Sequence, residues 1–294
     1  MKPPPFSYHD PRTVADAVAL LGRLENAKLL AGGQSLMPML NMRFVQPDHV
    51  IDLNRVEELS YIRLDERILD VGAMTRQRDL EFHEGVRARC PILYEALLHI
   101  GHRQTRNRGT LGGSLCHLDP SAELVTVAAA LDATVSVAGP RGTREIPFAE
   151  FPVAFMMPAI ELDEIVTAIR FPLWPAGHGH AFVELARRHG DFAIVAAAAL
   201  LHEDAQGKIL RASLTLGGVN TAPLRMADAE AMLVGQVASD ALFRAASESC
   251  RAVEALDDVH VSAAYRQRLA AVLARRALES AHRRAGHAGT GAAA

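Results

Sequence analysis

With 294 residues, 49% of them hydrophobic and 22% charged, the chain has room for two domains and a composition that excludes wholesale disorder and fibrous architecture. Its 31 basic and 34 acidic residues leave a formal charge of −3, which excludes a strong overall field toward nucleic acid or an anionic membrane. Three separated cysteines, Cys90, Cys116 and Cys250, form no C-x-x-C pair, which argues against a disulfide framework or an all-cysteine cluster site and fits a reducing cytoplasm.

The opening MKPPPFSYHDPR has no apolar run, and no stretch of about 18 uncharged apolar residues follows, so neither a signal peptide nor a membrane span is read. Val14, Ala17, Val18 and Leu21 recur at helical spacing behind Thr13, a candidate N-cap. AKLLAGGQSLMPMLNMRF then reads as strand, Gly-Gly turn and helix. Short apolar bursts over residues 48 to 75 predict strands, and residues 76 to 100 carry helical patterns. Residues 103 to 123 are polar and punctuated by glycine, which predicts a long functional loop. Strands are expected in ATVSVAG, REIPFAEF and DEIVTAIRFPL, with a domain boundary near Pro172 to Pro175. Beyond it, FVELARR, DFAIVAAAALLHED and ILRASLTLGGV resemble an antiparallel hairpin array. Helices near 239 to 256 and 262 to 285 close the fold, the last with Tyr265, Leu269, Val272 and Leu273 on one stripe, before a tail at 287–294 expected to be mobile.

Consecutive glycines let main-chain N–H groups converge on phosphate oxygens, and a following helix start adds its positive dipole end. Ala31-Gly32-Gly33-Gln34-Ser35 and Thr110-Leu111-Gly112-Gly113-Ser114 both have this character, and two such turns can grip one diphosphate from both sides. Neither has Rossmann or P-loop spacing. A single turn of this kind is more often structural, its glycine present only for positive φ, and it is the pair that points to a ligand. His117, Asp119, Ser121 and Glu123 follow as acceptors suited to a ribose or ribityl chain; the alternative is a helix entrance capped by Asp119 with Pro120 at its first position. No metal site is read, because the histidines lack a supporting spacing, and no G-x-S-x-G elbow marks a hydrolase. Arg103, Arg106 and Arg108 either neutralise a diphosphate or brace a loop. The arginines of the final helix form either a docking face for an acidic partner or a solvated surface.

KLLAGGQSLMPMLNMRF, IGHRQTRNRGTLGGSLCHLDPSAEL, EIVTAIRFPL and ARRHGDFAIVAAA resemble the FAD-binding subunit of molybdenum hydroxylases, the group that includes the carbon monoxide dehydrogenase medium chain and the flavin domain of xanthine dehydrogenase. The resemblance runs from about residue 5 to 285. It implies an α+β fold in which a PCMH-type FAD-binding domain (1–175) of two α/β subdomains, about 1–55 and 56–175, is followed by a C-terminal α+β domain (176–286) with a small antiparallel sheet and helices. Carried onto this chain, it implies FAD with Ala31 to Ser35 and Thr110 to Ser114 at the pyrophosphate, Lys28, Leu29, Leu30 and Leu36 flanking the first loop, and Glu123 in the place of a family acid at the sugar chain, to which the acceptor reading above adds His117 and Asp119. The paired loops and the lack of a recognisable attachment signal predict that the FAD is noncovalent. Ile165, Val166, Asp191 and Phe192 would lie against the isoalloxazine. The implied role is electron transfer with no catalytic acid or base: electrons arrive from a molybdopterin large subunit through a [2Fe–2S] small subunit, in a dimer of heterotrimers, and leave to an external acceptor. A self-contained FAD-dependent oxidase and a non-redox assembly protein are the rival readings.

Overall fold

The computed structural model describes residues 1–286, so the tail at 287–294 lies outside the described residues. Packing divides the chain into two compact units, neither continuous in sequence: Met1–His83, His102–Leu118 and Ala133–Phe171 form the first, and Glu84–Gly101, Asp119–Asp132 and the chain from Pro172 form the second.

The first unit holds a three-stranded parallel sheet in which Ser7–His9 and Ala27–Leu30 both pair with His49–Asp52. Helix Val14–Arg23 begins as its sequence predicts, with the Thr13 hydroxyl accepting from the Asp16 N–H. Ala17 and Ile51 join Leu53, Val56, Leu59, Met74 and Ile165 in one apolar cluster. The unit also holds a five-stranded sheet, in the order Ile62–Leu64, Ile68–Gly72, Ile165–Pro172, Thr134–Gly139, Gly142–Pro147, and a two-stranded one of Pro152–Ala154 and Met157–Pro158.

The expected loop at 103 to 123 is corrected. It contains helices Arg103–Arg108 and Leu111–His117. Each spans less than two turns, too short for apolar periodicity to register, and glycines sit inside the second rather than in a turn. The helix of Glu123 begins at Glu123 itself with Ala122 as N-cap, while Asp119 accepts from the Ser121 N–H in a local turn. Asp119 and Pro120 therefore lie outside the helix they were expected to open.

In the second unit, strands Gly179–Leu185, Val195–Glu203 and Ile209–Gly217 run antiparallel in chain order, as the hairpin reading expects, with Leu224–Arg225 at the edge. Alternate residues Val195, Ala197, Ala199 and Leu201 pack into one apolar cluster with Ala270, Ala274, Ala277, Leu278 and Ala281 of helix Ala263–Arg284. Of the stripe expected on that helix, Leu273 is buried in this cluster and Leu269 packs against it, whereas Tyr265 is exposed; alanines supply most of the buried face, which lets the helix lie close to the alanine-rich strand. Its arginines do not share one face: Arg268, Arg276, Arg283 and Arg284 are exposed, as the solvated reading expects, but the others are not. Arg266 is buried, Arg275 pairs with Glu279 in the same helix, and Arg284 donates to Glu95. Among the described residues no helix is long and apolar enough to cross a membrane.

Candidate functional site

The first glycine segment joins strand Ala27–Leu30 to helix Leu36–Asn41. Strand alternation turns Ala27, Leu29 and Ala31 into the apolar cluster and leaves Lys28 exposed. Gly33 has φ of +72°, the region a Cβ disfavours. The main-chain N–H groups of Gly32, Gly33, Gln34, Ser35 and Leu36 donate to no acceptor among the described residues, and the Ser35 side chain caps nothing. Five successive main-chain donors left without a protein acceptor among the described residues, at a strand-to-helix turn, are available to anionic oxygens. That chemistry fits the diphosphate of a dinucleotide.

The second segment lies against the first within the same unit. A Cβ on Gly113 would stand 3.3 Å from the Ala31 Cβ, and one on Gly32 would stand 2.2 Å from the Arg108 carbonyl oxygen. Yet the expectation of matching amide cradles is corrected. The N–H groups of Leu111 and Gly112 donate to the carbonyls of Thr75 and Ala73, that of Gly113 to the Thr110 hydroxyl, and that of Ser114 to the Thr110 carbonyl. Residues 111–114 form the capped first turn of a helix, so their amides are spent on the protein. What remains for a ligand from this side is the half-buried Ser114 side chain.

Two residues that sequence reading missed brace the junction. Asn54 donates from its side-chain amide to the Ala31 carbonyl (3.1 Å), and Arg76 donates to the Asn54 side-chain oxygen and to the Arg108 carbonyl. Burial, and then the neighbouring Arg108 charge, lower the Arg76 pKa. Asp52, accepting from the Asn54 N–H at 2.9 Å, was the available local signal, whereas Arg76 lies too far along the chain to be found by spacing. Arg106 is not at the site: it is buried and donates to Glu81 at 2.9 Å, the loop-bracing alternative. We expect Arg76→Ala to leave two acceptors unpaired, to cost about 1–3 kcal/mol of stability, and to lower the flavin-to-protein ratio after gel filtration, with Arg76→Lys in between.

The remaining predicted residues are dispersed. Ile165 and Val166 are buried in the five-stranded sheet of the first unit, and Ile165 packs in its apolar cluster. The Ile165 side chain is committed to that core, whereas Val166, next to it in the strand, is buried outside that cluster. His117 ends helix Leu111–His117. In the second unit, Asp119 precedes helix Glu123–Ala130, and Asp191 and Phe192 lie on the connection between strands Gly179–Leu185 and Val195–Glu203, with Phe192 58% exposed.

Glu123 is 4% exposed, and burial pushes its pKa up to about 8, helped by the charges of Glu184 and Asp119. Glu184 is another buried acid of this unit; one carboxylate oxygen is 3.3 Å from His99 Nδ1 and the other has no hydrogen-bond partner among the described residues. Among the described residues no group of three or more His, Cys, Asp or Glu is arranged to hold a metal ion.

Comparison with known proteins extends this reading over the whole chain. The sequence profile of the FAD binding domain in molybdopterin dehydrogenase matches residues 4–174, and that of the CO dehydrogenase flavoprotein C-terminal domain matches residues 180–281. The chain is 41% identical over 293 residues to the 6-hydroxypseudooxynicotine dehydrogenase complex subunit alpha of Paenarthrobacter nicotinovorans, covering 97% of each chain. It is 38% identical over 287 residues to the carbon monoxide dehydrogenase medium chain of Afipia carboxidovorans, covering 97% of this chain and 99% of that one. A solved structure of carbon monoxide dehydrogenase from Hydrogenophaga pseudoflava matches with a TM-score of 0.94 at 39% identity, covering 97% of this chain and 100% of that one.

Proposed function

The chain belongs to the family of FAD-binding subunits of molybdenum hydroxylases, and from that premise we propose that it is the electron-transfer member of a complex containing an iron–sulfur small subunit and a molybdopterin large subunit. Bound FAD supplies a redox centre able to exchange electrons both singly and in pairs. The protein's part is to hold and orient it. The amides of residues 32–36 receive the diphosphate, the Ser114 hydroxyl completes the contact from the second segment, and Asn54 and Arg76 keep the segments in register. Glu123 and Asp119 serve the sugar chain; Asp191, Phe192, Ile165 and Val166 serve the ring. No acid or base is assigned, because electron transfer needs none from the chain.

The observation that carries this reading is the run of five unpaired amides around Gly33. The matched ranges, ending at residue 174 and resuming at 180, support a division into two domains of sequence, 1–175 and 176–286. The names of its relatives, a complex subunit alpha and a medium chain, support assembly with partner subunits. We extend this to a dimer of heterotrimers in the cytoplasm that passes electrons to an external acceptor. Three unpaired cysteines, two of them buried, suit that compartment.

The test is native purification with subunit identification, followed by anaerobic titration. We expect denaturation to release FAD, and the flavin to be reduced only when the iron–sulfur and molybdenum subunits are present. Release of FMN alone, or retention of all flavin by denatured chain, overturns the noncovalent FAD assignment. Reduction by a small substrate with no partner present would instead establish a self-contained oxidase.

A further inference from the structure

The connection that carries Asp191 and Phe192 is closed at its base by the Ile194 N–H donating to the Leu185 carbonyl at 2.7 Å. One side chain from a distant helix takes up what this base leaves over. Arg266, in the first turns of helix Ala263–Arg284 and only 7% exposed, donates through one terminal nitrogen to the carbonyls of Ile194 and Gly218, each at 2.6 Å. Its other terminal nitrogen pairs with Asp258. The Gly218 N–H in turn donates to the Pro120 carbonyl at 2.8 Å. Gly218 has φ of +74°, and a Cβ there would stand 2.9 Å from the Ile194 carbonyl oxygen. Two chain segments, at Ile194 and Gly218, thus meet on one guanidinium, and a third, at Pro120, is tied to it through the Gly218 N–H. The segments at Ile194 and Pro120 lead directly into residues assigned above to the cofactor.

We propose that Arg266 is a positioning residue that holds the Asp191–Phe192 connection and the Asp119–Glu123 segment at a fixed spacing for the flavin. A planar guanidinium is suited to this because its fixed fork of donors can satisfy two carbonyls and a carboxylate together, whereas an ammonium offers donors from a single point on a flexible stem. Asp258 holds the fork: its other oxygen accepts from the N–H groups of His260 and Val261 at 2.7 and 2.8 Å, which locks the carboxylate in place. The inference rests on the reading that residues 119–123 and 191–192 serve the flavin.

The experiment uses the purified complex and compares wild type with Arg266→Lys, Asp258→Asn and Phe192→Ala. Amide hydrogen exchange is read at Ile194 and Gly218, together with visible flavin circular dichroism and FAD dissociation. For Arg266→Lys we expect exchange at both amides at least about tenfold faster, a changed flavin dichroism and about tenfold faster FAD loss, with subunit assembly kept. Asp258→Asn should follow in the same direction to a smaller extent. Unchanged dichroism and unchanged FAD loss in Arg266→Lys, whatever happens to melting temperature, overturn the positioning role and leave Arg266 as core structure. Phe192→Ala separates the two layers of argument. If it alters flavin dichroism while Arg266→Lys does not, the connection faces the flavin and only the Arg266 inference fails. If neither variant alters it, the assignment of that connection to the flavin fails as well.

Discussion

Gly32→Ala is expected to destroy flavin retention in a purified complex, more completely than Gly33→Val or Gly113→Val. Its added Cβ would stand 2.2 Å from the Arg108 carbonyl oxygen and 2.8 Å from the Gly109 Cα, so the obstruction is main chain on an adjoining segment and cannot be relieved by a rotamer change. The first segment must move away from the second, and Asn54 and Arg76, whose bonds hold the two together, move with it or break. Overpacking of this kind costs about 1–3 kcal/mol or more, and here the displacement falls on the donors that face the diphosphate. At Gly33 the obstacle is different: the Met37 and Leu30 side chains 3.1 and 3.2 Å away can yield, but φ of +72° strains any L side chain. At Gly113 a side chain meets the Thr110 hydroxyl at 2.7 Å and would expel the cap of helix Leu111–His117. Flavin stoichiometry after gel filtration ranks the three. Full FAD content in Gly32→Ala would show that the junction of the two segments is not where the cofactor is held.

The contrast between the glycine segments marks what the sequence could and could not disclose. Two Gly-Gly-x-Ser-like turns look alike as strings, and the family resemblance they carry is confirmed across the chain. Their physical roles differ because a glycine serves either a ligand or a neighbouring chain. Gly112 sits where a Cβ would meet the Ala73 main chain, so it is explained by packing alone. The fate of the amides depends on the carbonyls of Ala73 and Thr75, which only tertiary structure brings to the second segment. Thr13 as a cap and the antiparallel array at 179–217 were legible because their signals are local and periodic. Arg76 and Arg266 were not. Each is one arginine among many in the sequence, and its meaning comes from main-chain carbonyls 32, 48 and 72 positions away.

Glu123→Gln is expected to raise the stability of the flavin-free chain progressively as pH increases from about 5 to 8. In the folded chain burial raises the Glu123 pKa from 4.5 to about 8, with the charges of Glu184 and Asp119 adding to it. Its position at the start of helix Glu123–Ala130 acts the other way, because a helix N-terminus favours a negative charge. Burial outweighs it: a partly exposed helix terminus contributes at most about 2 kcal/mol, less than desolvation of a carboxylate can oppose. The folded chain therefore binds more protons than the unfolded chain across that window, and stability must fall as pH rises through it. At about 1.4 kcal/mol per pH unit, the slope amounts to roughly 2–3 kcal/mol between pH 5 and 7. Gln has the same shape and no proton to lose, so its melting temperature should lack this component and exceed that of wild type by several degrees near pH 8. Parallel pH profiles of melting temperature for the two proteins would mean that Glu123 folds as an ordinary ionised carboxylate, and its proposed contact with the sugar chain would then have to be made as an acceptor only.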